Sequence, residues 1–299
     1  MSHTYPKSVR IVEMSPRDGL QNIKTNVSTE IKLELINRLY DSGIKDIEIA
    51  SFVSPKWTPQ MADAAEILQQ LKQPEGTSHV VLTPNMRGFD RAIESGAKEV
   101  AIFAAASETF SQKNTNCTID ESLERFVPIM EKAAQLGIPV RGYTSCVLGC
   151  PYEGDVDVNV VVRVTKALID MGCYEVSLGD TVGLGTPVKA RQMMDAITKE
   201  VAGNKLGLHF HDTRGQALAN TLACLEYDIA SIDSSVAGLG GCPYAPGASG
   251  NVSTEDVVYM LDGMGIETGI DLKKLAAVGH YITEKIGVCN NSKVGAVYQ

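Results

Sequence analysis

His209-Phe210-His211-Asp212 follows the mostly apolar run Lys205-Leu206-Gly207-Leu208, and its residue types are those of a chemical site. Side chains alternate faces along a strand, so histidines two residues apart project to the same side. Two imidazoles at a strand end can begin a metal site. The chain holds five histidines, and two of them stand here. An isolated pair of this kind is more often a satisfied pair of core histidines, so other ligand-type residues must converge on the same point.

The elements that would position them recur regularly. Short apolar, β-branched-rich runs occupy 9–13, 46–50, 79–83, 99–104, 139–144, 174–178, 206–211 and 231–236. Between them, 28–41, 59–72, 119–136, 156–171, 187–201 and 215–226 carry helical periodicity. Ser28 and Thr58-Pro59 mark helix starts, and Gly43, Gly96, Gly137 and Gly172 fall just past helix ends. Eight strands with helices between them, and no Pro/Ser-rich linker, describe an α/β chain folded as a (β/α)8 TIM barrel. A doubly wound sheet would want GxGxxG after the first strand or a GxxxxGK[ST] loop, and neither is present there. One domain is expected over 1–299, with a barrel core at about 9–237 and, over 238–299, a glycine-rich loop and C-terminal helices capping the barrel.

Composition narrows the function classes. Hydrophobic residues make up 44% and charged residues 21% of 299, an ordinary globular balance. The net charge of −9, without a Lys/Arg cluster, argues against nucleic-acid binding. No apolar run approaches the roughly 20 residues of a membrane span. The N-terminal residues have neither a hydrophobic signal core nor an Arg-rich amphipathic stretch, which points to a cytoplasmic protein. The seven cysteines are scattered without CxxC pairs, as reduced thiols in a cytosolic protein would be. All but Cys242 read as small buried hydrophobes.

At the C-terminal ends of barrel strands, where such folds place their active sites, chemistry-bearing residues accumulate. The first strand runs into Pro16-Arg17-Asp18-Gly19-Leu20-Gln21, and the second carries Glu48 and ends near Ser51. The fifth contains Arg141-Gly142-Tyr143, and the sixth leads through Ser177-Leu178-Gly179 to Asp180. Strand seven brings His209 and His211, and the loop after strand eight brings Cys242 and then Asn251. Each residue has a plainer role open to it: Asp18 and Asn251 as turn or N-cap residues, Asp180 as a loop-stabilising acid, Glu48 as a partner of Arg17, Cys242 as a packed thiol. Their accumulation at one end of one barrel favours a site.

Pro16-Arg17-Asp18-Gly19-Leu20-Gln21, Ser51-Phe52-Val53-Ser54-Pro55-Lys56-Trp57, Gly149-Cys150-Pro151-Tyr152-Glu153-Gly154, the histidine segment and the stretch from Gly238 to Asn251 resemble the 3-hydroxy-3-methylglutaryl-CoA lyase family. The resemblance runs from about Val9 to about Thr268. It implies a (β/α)8 barrel that cleaves 3-hydroxy-3-methylglutaryl-CoA to acetoacetate and acetyl-CoA with a divalent cation, acting as a homodimer in leucine degradation or a related acyl-CoA route such as ketone-body formation. By the same resemblance Asp18, His209, His211 and Asn251 are the metal ligands, and Arg17 and Cys242 are catalytic. Glu48, Asp180 and His209 join them as catalytic candidates, with Arg17, Gln21, Ser51, Tyr143 and Ser177 as substrate-binding candidates. Two departures stand out. Ser15 replaces the glycine usual before the opening motif, and the tail ends without the cysteine that animal relatives carry.

The implied donor set suits the implied chemistry. Two imidazoles, a carboxylate and an amide oxygen leave room for two substrate oxygens, which fits six-coordinate Mg²⁺ or Mn²⁺ better than closed tetrahedral zinc. Arg17 can meet an enolate oxygen that develops on the thioester. A thiol at Cys242 is mostly protonated at neutral pH and can hand a proton to the carbanion. The acceptor of the hydroxyl proton stays open among Asp18, Glu48, Asp180 and water, with an acidic side chain near His209 favoured. Two related activities, acetyl-CoA-dependent carboligation and aldol cleavage of a 4-hydroxy-2-oxo acid, remain as alternatives, and a non-catalytic metabolite-binding barrel is the alternative of another class.

Overall fold

A computed structural model describes residues 5–241 and 250–298. Eight parallel strands close in sequence order: β1 Arg10–Glu13, β2 Asp46–Ser51, β3 Ser78–Leu82, β4 Glu99–Ala105, β5 Val140–Ser145, β6 Glu175–Asp180, β7 Leu206–Phe210 and β8 Ser231–Ser234. The helices α1 Thr29–Asp41, α2 Ala64–Gln70, α3 Met86–Glu94, α4 Glu108–Thr115, α5 Ile119–Leu136, α6 Val158–Asp170, α7 Pro187–Ile197 and α8 Ala217–Cys224 lie between them, followed by α9 Thr254–Gly263 and α10 Leu272–Ile286. This is the expected (β/α)8 barrel with two further helices. No helix among the described residues is long and apolar enough to cross a membrane.

Local rules account for most boundaries. The Thr118 side chain accepts from the Glu121 N–H while Glu121 accepts from the Thr118 N–H, a capping box that starts α5. Gly43, Gly96, Gly137 and Gly172 take positive φ, as expected just past helix ends. Expected segment 59–72 divides into a 3-10 turn at Pro59–Met61 and then α2, with Asp63 between them at a ψ of 10°. The helices α3 and α4 were not among the expected segments. Asn85 and Ser107 cap them, accepting from Gly88 N and Phe110 N.

Two cores divide the labour of packing. The larger fills the shell between strands and helices, with Ile47, Ile49, Val100, Ile102, Val176, Leu178, Leu206 and Leu208 facing outward into it. Inside the barrel, Val12, Met14, Val80, Leu82, Ala101 and Tyr143 form a smaller apolar patch. Polar residues in the interior are fully buried: Glu48, Arg141, Glu175, Ser177, Ser231 and Asp233.

Register stacks these polar residues in rows. Arg141 pairs with Glu175, and Gly207 pairs with Ser231. One row nearer the C-terminal mouth, Tyr143 pairs with Ser177, and His209 with Asp233. Gly207 is what lets the Arg141 guanidinium lie across the lower row, since a Cβ there would stand 2.7 Å from Ser231 Oγ and 2.9 Å from Arg141 Nη2.

Gly207→Ala should therefore lower the unfolding free energy by about 1–3 kcal/mol, the usual cost of overpacking. Gly263→Ala is the internal control: it lies in α9 with open space around it and should be neutral or slightly stabilising. Urea denaturation of both variants checks the difference, and equal midpoints would remove the steric role of Gly207.

Candidate active site

The first loop does not turn tightly. Ser15–Gly19 forms one π-helical turn in which Gly19 N donates to Met14 O at 3.0 Å. Single π turns are rare and concentrate at functional sites. Ser15 is not among the residues with positive φ, so the serine fits where a glycine was usual. The wide turn puts consecutive side chains, Arg17 and Asp18, at the barrel mouth.

Arg17 donates from Nε to Glu48 Oε2 at 2.5 Å and from Nη1 to Asp18 Oδ1 at 2.6 Å. Its Nη2 also lies 2.5 Å from Glu48 Oε2. The other Glu48 oxygen accepts from Tyr143 Oη at 3.2 Å. Glu48 is thus the partner of Arg17, one of the roles open to it from sequence.

Asp18, His209 and His211 converge: their ligand-type atoms all lie within 4.8 Å of one another. His209 Nε2 stands 3.8 Å from Asp18 Oδ2, and the two imidazole centroids are 5.4 Å apart. An antiparallel bridge joins His211 to Asn251, bringing the fourth residue alongside. Asn251 Nδ2 donates to Asp18 Oδ2 at 2.8 Å and to Leu239 O at 3.1 Å, which leaves the amide oxygen outside those bonds.

Charge at the cluster suits a cation. Burial alone would raise the Asp18 carboxyl, but Arg17 and then the two histidines hold it well below the usual carboxylate range. Burial, with His209 beside it, pushes His211 down to about 4, so its imidazole is neutral near pH 7. A neutral imidazole and an ionised carboxylate are the forms that bind metals. The mixed N/O donors therefore fit a divalent cation.

Other candidates lie elsewhere. Asp180 pairs in register with Phe210, not with His209, and its oxygens accept from Leu184 N at 3.0 Å and Gly185 N at 2.8 Å. That is the loop-stabilising role; burial still raises its carboxyl above the ordinary range. Ser177 donates to Asp233 Oδ2 at 2.8 Å, and Ser51 Oγ donates to Leu82 O at 3.4 Å. Gln21 is half-buried just after the π turn. Cys242 lies outside the described residues. Among the other thiols, Cys117, Cys146, Cys150, Cys173 and Cys224 are buried as expected, but Cys289 is exposed.

Asp233 was missed from sequence. Its Oδ2 sits 3.2 Å from His209 Nδ1, and Arg141 donates to both its oxygens at 2.7 and 3.1 Å. The available signal was the single charged residue of Ser231-Ile232-Asp233-Ser234, the next strand in the barrel to the histidines.

An HMGL-like family model matches residues 8–282. The chain belongs to the HMGL-like family. It is 57% identical over 291 residues to the Bos taurus mitochondrial hydroxymethylglutaryl-CoA lyase, covering 97% of this chain and 90% of that one. The crystal structure of hydroxymethylglutaryl-CoA lyase from Pseudomonas aeruginosa superposes with a TM-score of 0.96 at 54% identity, covering 98% and 97% of the two chains. An HMG-CoA lyase from Acinetobacter baumannii, solved with coenzyme A and 3-methylmalate, gives 0.92 at 35% identity over 97% and 95%. Membership of this family agrees with the barrel and with the convergence of ligand-type residues at its mouth.

Burial also gives an acid-stability signature. His79, outside the site, is pushed down to about 4 by burial, with Lys98 adding to it, as His211 is by burial and His209. The unfolded chain binds those protons near pH 6.5, so unfolding free energy should fall as pH drops from about 6.5 to about 4, by up to about 1.4 kcal/mol per unit for each histidine. Urea denaturation across that window checks it, and His79→Gln should flatten the slope by one histidine's share. An unchanged slope in that variant would remove His79 from the account.

Proposed function

We propose that the protein cleaves 3-hydroxy-3-methylglutaryl-CoA to acetoacetate and acetyl-CoA, with Mg²⁺ or Mn²⁺ held by Asp18, His209, His211 and Asn251. The carrying observation is the convergence of Asp18, His209 and His211 within 4.8 Å at the mouth of a barrel of this family. A divalent cation bound there would supply Lewis acidity to the substrate hydroxyl and hold the substrate by chelation.

The chain's own residues supply the rest. Arg17 has five N–H donors, and the bonds to Glu48 and Asp18 use three of its nitrogens once each, so donors remain for a thioester oxygen as it gains charge. Glu48 and Asp18 hold that guanidinium in one orientation, which is positioning supplied before substrate arrives. The acidic side chains nearest His209 are Asp18 and Asp233, and Asp233 is fully engaged by Arg141 and Ser177. Asp18 already accepts from Arg17 and Asn251, so the hydroxyl proton goes to a water beside it. The bond between C2 and C3 then breaks, its electrons pass into the thioester enolate, and Cys242 returns a proton to carbon.

The same reading carries a homodimer, by resemblance, and a cytoplasmic location, which six free cysteines among the described residues support.

Release of acetoacetate from the acyl-CoA by the purified protein, abolished by a chelator and restored by Mn²⁺ or Mg²⁺, is the expected outcome. Cleavage unaffected by the chelator would overturn the cation assignment, and no acetoacetate would overturn the reaction. Cys242→Ser should keep Mn²⁺ affinity within a factor of about 2 while lowering kcat about 100-fold or more, in the range of lost general acid catalysis. A near-wild-type kcat would take the thiol out of the mechanism.

A further inference from the structure

We propose that Asp233, clamped by Arg141, is the residue that positions His209 and selects its tautomer, leaving Nε2 as the nitrogen turned to the cation site. The proposal rests on the cation reading given above, and nothing in the family resemblance assigns either residue a role.

The argument starts from register. β7 and β8 pair His209 with Asp233, so both side chains leave the sheet on its inner side at one level. Asp233 is buried, and its hydrogen bonds come from groups that can only donate or are able to. Arg141 Nη2 reaches Oδ1 at 2.7 Å, Arg141 Nη1 reaches Oδ2 at 3.1 Å, and Ser177 Oγ reaches Oδ2 at 2.8 Å. A carboxylate facing a guanidinium across two bonds is ionised, and an ionised carboxylate accepts only. The remaining neighbour, His209 Nδ1 at 3.2 Å, must therefore carry the proton. In the neutral ring Nε2 then holds the lone pair. That nitrogen lies on the Asp18 side, 3.8 Å from Oδ2.

Arg141 is itself fixed. Its Nε donates to Glu175 Oε1 at 2.8 Å, Nη1 to Tyr143 Oη at 2.9 Å and Nη2 to Ser231 Oγ at 3.0 Å. These bonds hold the guanidinium and the carboxylate in one orientation. The imidazole ring is thereby set from below, independently of any ligand above it. Carboxylate partners of this kind orient ligating histidines and typically change metal affinity 10- to 100-fold when removed.

The test reads the tautomer directly. In protein labelled with isotopic nitrogen in its five histidines, without metal and at mildly alkaline pH, long-range proton–nitrogen spectra report which ring nitrogen bears hydrogen. The His209 signals are assigned by their loss in His209→Gln. The expected result is an Nδ1–H form for His209 in the wild-type protein. Asp233→Asn, whose amide can donate, should shift His209 toward the Nε2–H form and weaken Mn²⁺ binding, read by electron paramagnetic resonance, about 10- to 100-fold. An Nε2–H tautomer in the wild-type protein would overturn the proposal, and that reading needs no variant to fold. Unchanged tautomer and Mn²⁺ affinity in Asp233→Asn would overturn it equally. A wild-type protein that binds no Mn²⁺ but shows the Nδ1–H form would sink the cation reading and leave the positioning of His209 standing.

Discussion

Arg141 lies fully buried in the barrel interior between Glu175 and Asp233, and the polar half of that interior depends on this pairing. Charges this deep are tolerated only when paired and hydrogen-bonded, and removing one partner of such a pair typically costs about 3–5 kcal/mol. The pairing also transmits position. From Arg141 one path runs through Asp233 to His209, and another runs through Tyr143 Oη and Glu48 to Arg17. His209 and Arg17, both at the mouth, are therefore held by one guanidinium beneath them. Small residues at Gly207 and Ser231 leave it the room it needs.

A second pair of buried acids frames the rim. Glu13 Oε1 accepts from Ser15 N and Val236 N, both at 2.9 Å, and Oε2 accepts from Thr254 Oγ1 at 2.7 Å. One carboxylate thus ties the π turn before Arg17 to the turn at Val236–Gly238. Both oxygens of Glu255 accept from Ala237 N, which holds Ala237 at a φ of 58°. A non-glycine residue in that region costs on the order of 1–3 kcal/mol and persists where its surroundings over-determine it. Here they do: Asn291 N also donates to Ala237 O, so the segment after α10 closes the turn from outside. Burial raises both carboxyls, that of Glu255 to about 8.

The barrel was legible because each strand is a short buried run and several helices carry their own punctuation, as at Ser28 and Gly137. Of the metal-type cluster, the HxH spacing was legible locally, whereas Asp18 as its companion came with the family resemblance of residues 16–21. What the sequence concealed depends on register. Asp233 meets Arg141 across 92 positions and faces His209 only because β7 and β8 align them. Asp180 ends a strand in the manner of a catalytic acid, yet its register puts it level with Phe210, whose ring belongs to the outer core. A one-residue difference in strand alignment decides which side of the barrel wall a carboxylate serves, and composition carries no trace of it. The π turn was equally hidden, since no residue type in Ser15–Gly19 marks that turn from any other.

The charge balance of the interior explains why a cation belongs at this point. Arg10, Arg17 and Arg141 are met by Asp18, Asp46, Glu48, Glu175 and Asp233, so carboxylates exceed guanidinium groups by two. Glu48 lies against Arg17 and Asp233 against Arg141, while Asp46 and Glu175 share Arg10. Asp18 is the acid that also faces two imidazoles, so one of the two surplus charges is directed at the mouth and the other lies beside Arg10. In a low-dielectric interior a net negative site attracts a divalent ion strongly. A monocation would only neutralise Asp18, whereas a divalent ion over it reverses the local sign. An imidazole that offers a lone pair adds a donor atom without adding charge, and His211, pushed down to about 4, is in that form near pH 7.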